Sequence, residues 1–318
     1  MKSIKYLFIL LAITITSVNL AAQDLSSIAS KNEQKQKKQV VISSFKNFKI
    51  INAQTPMTVP KHNLEFNIAH RFGDIAGTSG GTNTLFGFYS ISDILFSFDY
   101  GLTDNIDIGL GAYKGIGPFE DSYYGSIKYK LLQQTTDNKI PIFVSLYGDA
   151  NISTAPSVND PTSDADFVNT ADRLSYLAQI IIARKISQKF SLEVLPTYLH
   201  RNLVLNGDEN DLFSLGAGAR FRLSKRFSII ADYFHPFSSF RSNNGGLPFG
   251  ITFYDPIGIG IEIETGGHVF TINLTNSTGI VENEFIPYTT SNWQKGQIRL
   301  GFNIGRDFLI GKNAQSSY

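Results

Sequence analysis

The side chains in this sequence that could do chemistry are charged residues that alternate with apolar ones. In the stretch 105–115, Ile106, Ile108 and Leu110 alternate with Asp107 and with two glycines. Charges of both signs on one face of a strand can pair with each other, or they can line water and select ions. The sequence leaves both outcomes open. Twelve charged residues share this position opposite an apolar face: Asp99, Asp107, Lys128, Lys130, Asp149, Glu193, Arg220, Arg222, Asp232, Glu262, Glu264 and Arg299.

Other kinds of chemistry find no support in residue type or spacing. The chain has no cysteine, which excludes disulfides, thiol catalysis and zinc–thiolate sites. Its 5 histidines lack metal-ligand spacing, and no serine is placed to form a catalytic pair with His70 or His200. The acidic loop 159–172 lacks the glycine and the terminal glutamate of a calcium-binding EF-hand loop. We therefore expect no enzymatic activity, no metal site and no cofactor. A formal net charge of +1 gives no reason to expect nucleic-acid binding.

The N-terminus predicts export from the cytoplasm. Lys2 and Lys5 precede the apolar run "YLFILLAITI", and "LAAQ" offers a cleavage site near Ala22. No later stretch reaches the ~18 apolar residues of a membrane helix. Residues 1–22 are therefore predicted to be a signal peptide, and the mature protein to leave the cytoplasm without a helical anchor.

Residues 23–62 differ in composition from the rest of the chain. From residue 24 to residue 62 there are seven lysines and two acids, and "SKNEQKQKKQ" has the polar composition of disordered segments. The following "SSFKNFKIINAQTP" alternates enough for one short strand. We predict a flexible basic periplasmic tail, in which residues 40–56 could act as a plug or as a docking strand.

From residue 63 onwards the apolar pattern has period two, which is typical of β-strands. Most segments have the roughly 9–11 residues that a tilted strand needs to cross a bilayer. The prediction is an all-β fold: a transmembrane antiparallel up-and-down β-barrel of about 12 strands over 63–310, with a C-terminal tail over 311–318. Because 248–254 could extend a hairpin, 10 or 14 strands are alternatives. The segments are 64–72, 92–101, 106–113, 123–131, 141–149, 174–184, 190–200, 212–223, 227–234, 257–264, 268–275 and 297–306.

The connections set the predicted orientation of the barrel. Those after even-numbered strands are short, and those after odd-numbered strands are mostly long. Outer-membrane barrels have short periplasmic turns and long external loops. The connections after odd-numbered strands, including the short 114–121, also hold thirteen acids, against Lys114, Arg241 and Lys295. We expect an acidic outer rim, with the glycine-rich charged face turned towards a polar, partly solvated lumen.

Three motifs carry a family resemblance: "HRFG" (His70, Arg71, Phe72, Gly73), "FDYGLTDNIDIGLG" at 98–111 and "GSIKYKLLQQ" at 125–134. Together they resemble an uncharacterised outer-membrane β-barrel family, a domain of unknown function found mainly in Bacteroidota-type bacteria. The resemblance runs over most of 45–310. The family often has arginine after its Gly-x-Gly, where this chain has Ala112, so that arginine's role does not transfer. The resemblance implies a fold and a location in the cell outer membrane, and it implies no activity.

The expected function is passive transport. The sequence favours a porin-like channel for small solutes with a mild preference for cations, because the outer rim is acidic. A plugged barrel with a structural or partner-docking role is the alternative. A transporter of apolar ligands is disfavoured by the inward charges. Expected partners are outer-membrane lipid, the barrel-assembly machinery and small solutes, and the oligomeric state stays open.

Overall fold

The computed structural model describes residues 40–41, 43–115, 117–243 and 251–310; the predicted signal peptide and the C-terminal tail lie outside them. The predicted strands are all present, with ends that differ by a few residues. Within these ranges the strands are β1 (Asn63–Asp74), β2 (Ile91–Thr103), β3 (Ile106–Lys114), β4 (Asp121–Leu132), β5 (Phe143–Ser153), β6 (Leu174–Lys185), β7 (Phe190–Arg201), β8 (Asp211–Arg222), β9 (Phe227–Phe237), β10 (Ile257–Thr265), β11 (His268–Thr275) and β12 (Arg299–Leu309).

The strands form one closed antiparallel barrel in which each strand pairs with its neighbours in sequence. β1 and β12 close it, from Asn63 opposite Leu309 to Asp74 opposite Arg299. Turns are short at one end of the barrel and connections are mostly long at the other. The predicted up-and-down barrel is confirmed with twelve strands. Of the segment proposed to extend a hairpin, residues 251–254 are not in a strand and 248–250 lie outside the described residues.

The two faces of the sheet separate as the period-two pattern predicts. Leu110, Ile259 and Ile272 point away from the barrel and are 72%, 50% and 52% exposed. A continuous apolar outer surface of this kind suits lipid rather than water. Of the residues described, none lies in a helix long and apolar enough to cross a membrane.

Residues 43–57, called the plug below, form a hairpin inside the barrel. Its turn is closed by the Ile50 amide, which donates to the Ala53 carbonyl at 2.8 Å, and by an isolated bridge between Lys49 and Gln54. The chain enters beside the β4–β5 turn, where the Val41 amide donates to the Gln134 carbonyl. It leaves beside the β2–β3 turn. Both ends of the plug are therefore at the short-turn end of the barrel.

The β11–β12 connection (276–298) enters the barrel from the long-loop end. Its helix α2 (Glu282–Tyr288) follows the shorter helix α1 (Ser239–Ser242) of the β9–β10 connection. Phe285 of α2 is fully buried and meets Phe234 of the barrel wall edge-on, with 5.0 Å between ring centroids. The plug and α2 thus fill the barrel from opposite ends.

The inner wall is polar on one side and apolar on the other. Asn67, Ser97, Thr271 and Asn273 line the polar side and are buried. The expectation of a polar lumen is met only in part by β5–β9, because those strands also carry apolar residues on their inner face and the plug covers these residues. The apolar wall comprises Phe143, Tyr147, Leu177, Ile181, Leu195, Leu199, Leu212, Ile230 and Phe234, clustered with Phe45, Ile50 and Ile51 of the plug.

Candidate functional site in the barrel lumen

The tip of the plug, residues 50–53, is held by one carboxylate of the barrel wall. Asp232 accepts hydrogen bonds from the backbone amides of Ile51 at 3.1 Å, Asn52 at 2.6 Å and Ala53 at 2.9 Å. Its second oxygen accepts from the side-chain amide of Asn52 at 3.0 Å. Successive backbone amides form a concave donor site for an anion. Here the plug supplies the donors and the barrel supplies the anion.

A buried guanidinium holds the same tip from another part of the wall. Arg71 of β1 is fully buried and donates to the Ile51 carbonyl at 3.0 Å and to the Asn52 side chain at 3.4 Å. Asn303 of β12 accepts a further bond at 3.3 Å. Asp232 and Asp93 interact with its charge at longer range, but no described carboxylate forms an ion pair with it. The Nε atom of Arg71 has no acceptor.

Glycines of the barrel wall make room for the plug. A Cβ added at Gly218 would lie 2.4 Å from Ile50, and one at Gly258 would lie 2.9 Å from the Cγ2 atom of Ile51. Such distances leave space for hydrogen only, so a glycine in these strands marks a close approach of another chain segment. Other inward glycines make room for wall side chains, as Gly111 does for the ring of Tyr124. The glycine-rich face predicted from sequence is therefore an interior contact surface.

An ion pair joins the plug to α2. Lys49 Nζ lies 2.9 Å from both carboxylate oxygens of Glu282, and the two side chains are 2% and 1% exposed. Lys49 also donates to the Asn52 carbonyl at 3.0 Å. Because both charges are buried, removing either would leave the other without compensation.

A second pair of groups, both acidic, holds the β11–β12 connection in the barrel. Asp93 of β2 accepts a bond from the Ile280 amide at 2.6 Å. The Glu284 carboxyl lies against it, and both are within 3.2 Å of the position that a Cβ on Gly115 would occupy. Burial, with a further contribution from Asp93, raises the pKa of Glu284 well above its usual value. The two carboxyls can share a proton in this position.

At the short-turn end, charged wall residues pair with each other and with the plug. Arg220 lies 2.7 Å from Glu262 and 2.6 Å from Glu264. Asp107 accepts from the Val59 amide at 3.0 Å, and Lys128 donates to the Met57 carbonyl at 3.4 Å. Some of the inward charges therefore pair with each other, and others bind the backbone of the plug or of the residues that follow it.

All twelve predicted lumen residues lie on the inner face, but the structure does not bring them into one site. Glu193 is buried and neither of its oxygens has a hydrogen-bond partner. A cavity of about 250 Å³ separates the plug from the wall at the short-turn end, and Lys130 lines it. The remaining contacts are Asp99 with Asn67 and Ser97, Asp149 with Asn151, Arg222 with the Ser224 carbonyl, and Arg299 with Asp74 and Ser291.

The "HRFG" motif divides between the two faces of β1. His70 lies on the outer face, where its ring stacks on Phe302 at 5.4 Å and meets Phe72 at 4.4 Å. Arg71 points inwards to the plug. A Cβ on Gly73 would come within 2.6 Å of Ser90, so this glycine lets the β1–β2 connection fold against the strand. Sequence reasoning named Arg71 only as part of the motif and did not identify its contact with residue 51.

The outer rim carries two similar polar contacts that the sequence did not predict. His200 Nδ1 and the Tyr198 hydroxyl both bond Asp211, at 2.7 Å and 2.6 Å. His235 and Tyr233 bond Asp255 in the same way. Within the described ranges, His200 has no serine partner and no metal-binding cluster of acids and histidines occurs. These groups have the position of an interfacial girdle.

Comparison with solved structures finds several outer-membrane proteins. An outer-membrane channel from Pseudomonas putida F1 is 12% identical with a TM-score of 0.46, covering 79% of this chain and 97% of that one. The NanC porin is 10% identical with a TM-score of 0.44, covering 77% and 98%. The KdgM porin is 4% identical with a TM-score of 0.43, covering 77% and 98%.

A search of curated proteins finds no relative by sequence. A family model does match: it covers residues 45–308, which include the plug from Phe45 onwards together with nearly the whole barrel. The match thus spans both the wall and the segment that fills it, and the chain belongs to the membrane-bound β-barrel domain family DUF5777.

Proposed function

We propose that this protein is a gated, porin-like channel of the outer membrane that takes small solutes and is closed by its own plug. The observation that carries the proposal is that the plug fills the lumen without being a strand of the barrel. Its departure would break contacts with side chains but no ladder hydrogen bond between the twelve strands. The barrel can therefore persist while the plug moves.

The wall behind the plug has the character of a transport path. Twelve strands enclose more space than the eight whose interior side chains can fill. Beside the plug, the cavity of about 250 Å³ is lined by Lys128 and Lys130 of the wall, by Lys46 and Lys49 of the plug, and by the acids Glu65, Asp99, Asp104, Asp107 and Asp307. Charges of both signs facing unfilled space favour hydrated solutes over a dry core.

The direction of the plug suggests how the gate would be operated. In the orientation with short turns in the periplasm, both ends of the plug face that compartment. The segment that precedes the plug is rich in lysine. An acidic periplasmic partner could bind this segment and thereby withdraw the plug. No chemical reaction is part of this proposal.

A permanently plugged barrel with a structural or docking role is the second candidate. Phe45, Ile50 and Ile51 are nearly inaccessible, and they cover apolar wall residues that would otherwise meet water. Removing the plug therefore costs hydrophobic burial as well as hydrogen bonds. The same apolar wall also supports the hypothesis of a transporter for apolar ligands, which the inward charges had disfavoured.

Single-channel recording in planar bilayers tests the proposal. We expect the full-length chain to show a low open probability, and a chain with weakened plug contacts to open more often. We also expect a mild preference for cations, measured as the reversal potential in a salt gradient, because the long loops are acidic. Absence of conductance in a variant whose plug is shown by thiol labelling to be released would refute the channel.

A further inference from the structure

We infer that the space occupied by the plug tip is a binding site for short peptides. In this site Asp232 and Arg71 would form hydrogen bonds with the backbone of the peptide. The inference deepens the proposed channel by naming a solute class, and it rests on the plug being able to leave. The plug would then act as a resident occupant that an incoming peptide replaces.

Most hydrogen bonds between the tip and the barrel wall are made by peptide groups of the tip, and the others by the side chain of Asn52. Asp232 accepts from three consecutive backbone amides, at 3.1, 2.6 and 2.9 Å. Arg71 and Asn303 donate to the one carbonyl of Ile51, at 3.0 and 3.2 Å. These bonds depend on the backbone and not on the side-chain type, so another peptide in a similar turn could make them.

The side chains of the tip pack on surfaces that require an apolar side chain of suitable size but not one particular amino acid. Ile50 and Ile51 belong to the apolar cluster of the β5–β9 wall. They fill the space above Gly218 and Gly258. A site of this kind accepts apolar side chains of different shapes.

The site also offers more polar contacts than the plug uses. Arg71 is fully buried, yet its Nε has no acceptor, and Glu193 is buried with both oxygens unpartnered. Buried polar atoms are normally satisfied. A segment evolved only to seal the barrel would be expected to satisfy them, whereas a resident occupant of a binding site need not.

The test begins with a full-length chain that reports release of the plug. Ala53→Cys introduces the single thiol of the protein at a fully buried position. Glu282→Gln removes the ion pair with Lys49, at a distance from the Asp232 contact. Maleimide labelling of this variant shows that the plug has left and prevents its return. A blocked, fluorescent Leu-Gly-Ala-Leu peptide, whose sequence differs from the plug, is then titrated and followed by anisotropy.

Two controls isolate backbone recognition from adhesion to the apolar wall. The first is the same peptide N-methylated on its three inner amides, so that none of these three groups can donate to Asp232. The second is Asp232→Ala in the labelled chain, which removes both oxygens that accept these bonds. We expect the unmodified peptide to bind at least about tenfold more tightly than the methylated one, and Asp232→Ala to remove the difference.

Each outcome decides the inference. Equal binding of the two peptides, or no binding to a labelled chain that still conducts ions, overturns the peptide site and leaves the channel standing. Binding that depends on the amides in a labelled chain that does not conduct supports the site and refutes the channel. A plug that is never labelled overturns both.

Discussion

The Lys49–Glu282 pair provides the sharpest test of plug docking. We predict that Glu282→Gln releases the plug more often, because Lys49 then keeps a buried charge with no counter-ion. The pair is only 2.9 Å apart, and both side chains are almost fully inaccessible. At that distance and an effective dielectric constant of about 20, the direct attraction amounts to about 6 kcal/mol.

The expected loss is smaller than this attraction, because the charges also gain hydration when the plug leaves. Removing one partner of a buried pair costs about 3–5 kcal/mol. Since about 1.4 kcal/mol corresponds to a factor of ten, the released population should rise by roughly a hundredfold or more. The lysine keeps its bond to the Asn52 carbonyl, which favours the lower end of the range.

The assay is the maleimide-labelling rate of Ala53→Cys in liposomes, with and without Glu282→Gln. The matched control replaces both charges at once, Lys49→Met with Glu282→Leu, which should return the rate close to the starting value because no unpaired charge remains. Lys114→Gln serves as a second control, since the Lys114–Asp121 pair is exposed and contributes little. A labelling rate that changes less than threefold on Glu282→Gln would show that the pair does not hold the plug.

Three further predictions address the gate, the loop and the outer surface. A disulfide between Ile51→Cys and Gly258→Cys should lock the plug, since a Cβ at 258 lies 2.9 Å from the γ position of residue 51; we expect conductance to fall on oxidation and to return with reductant, and unchanged conductance would contradict a moving plug. The pKa of Glu284 in the folded protein is raised above its ordinary value of 4.5. The β11–β12 connection should therefore be docked most stably below pH 4.5, where the carboxyl is protonated in both states. As pH rises towards the folded pKa, the free energy of docking should weaken by at most about 1.4 kcal/mol per pH unit. Hydrogen exchange of α2 against pH measures this, and Glu284→Gln should flatten the curve; an equal slope in that variant would assign the effect to another group. Leu110→Arg places a cation on the apolar outer face at 72% exposure and should cost about 2–4 kcal/mol of folding stability in lipid, measured by urea titration in liposomes; no loss would mean that this face does not meet the bilayer.

The barrel wall could be predicted because each strand is encoded by the pattern of its own residues. Strands such as β3 and β10 show strict alternation, and a closed sheet with lipid outside requires apolar side chains at every second position. Connection lengths then place odd and even strand ends at opposite rims. Even the glycines of β8 and β10 were correctly assigned to the inner face, although their contact with Ile50 and Ile51 was not foreseen.

The sequence also contains a signal for the apolar half of the inner wall, although a search for alternating apolar and polar residues does not detect it. In β6, Ile180 and Ile182 face outwards while Leu177 and Ile181 are buried inside. A strand that is apolar on both faces is typical of one covered on both sides. Such strands therefore implied that something apolar fills the barrel beside them.

The sequence by itself determined the positions of the strands, their faces, the two rims and the inward position of the charges, because each follows from a period of two and from connection length, whereas the structure decided between 10, 12 and 14 strands in favour of twelve. Only the tertiary structure decided what those charges contact. Residues 40–56 read equally well as a plug or as a docking strand, since a short alternating segment has the same local pattern in both roles. The contacts that choose between them join Asn52 to Asp232 and Lys49 to Glu282, across 180 and 233 positions of the chain. Pairings of that range depend on closure of the whole barrel, and no local pattern encodes them.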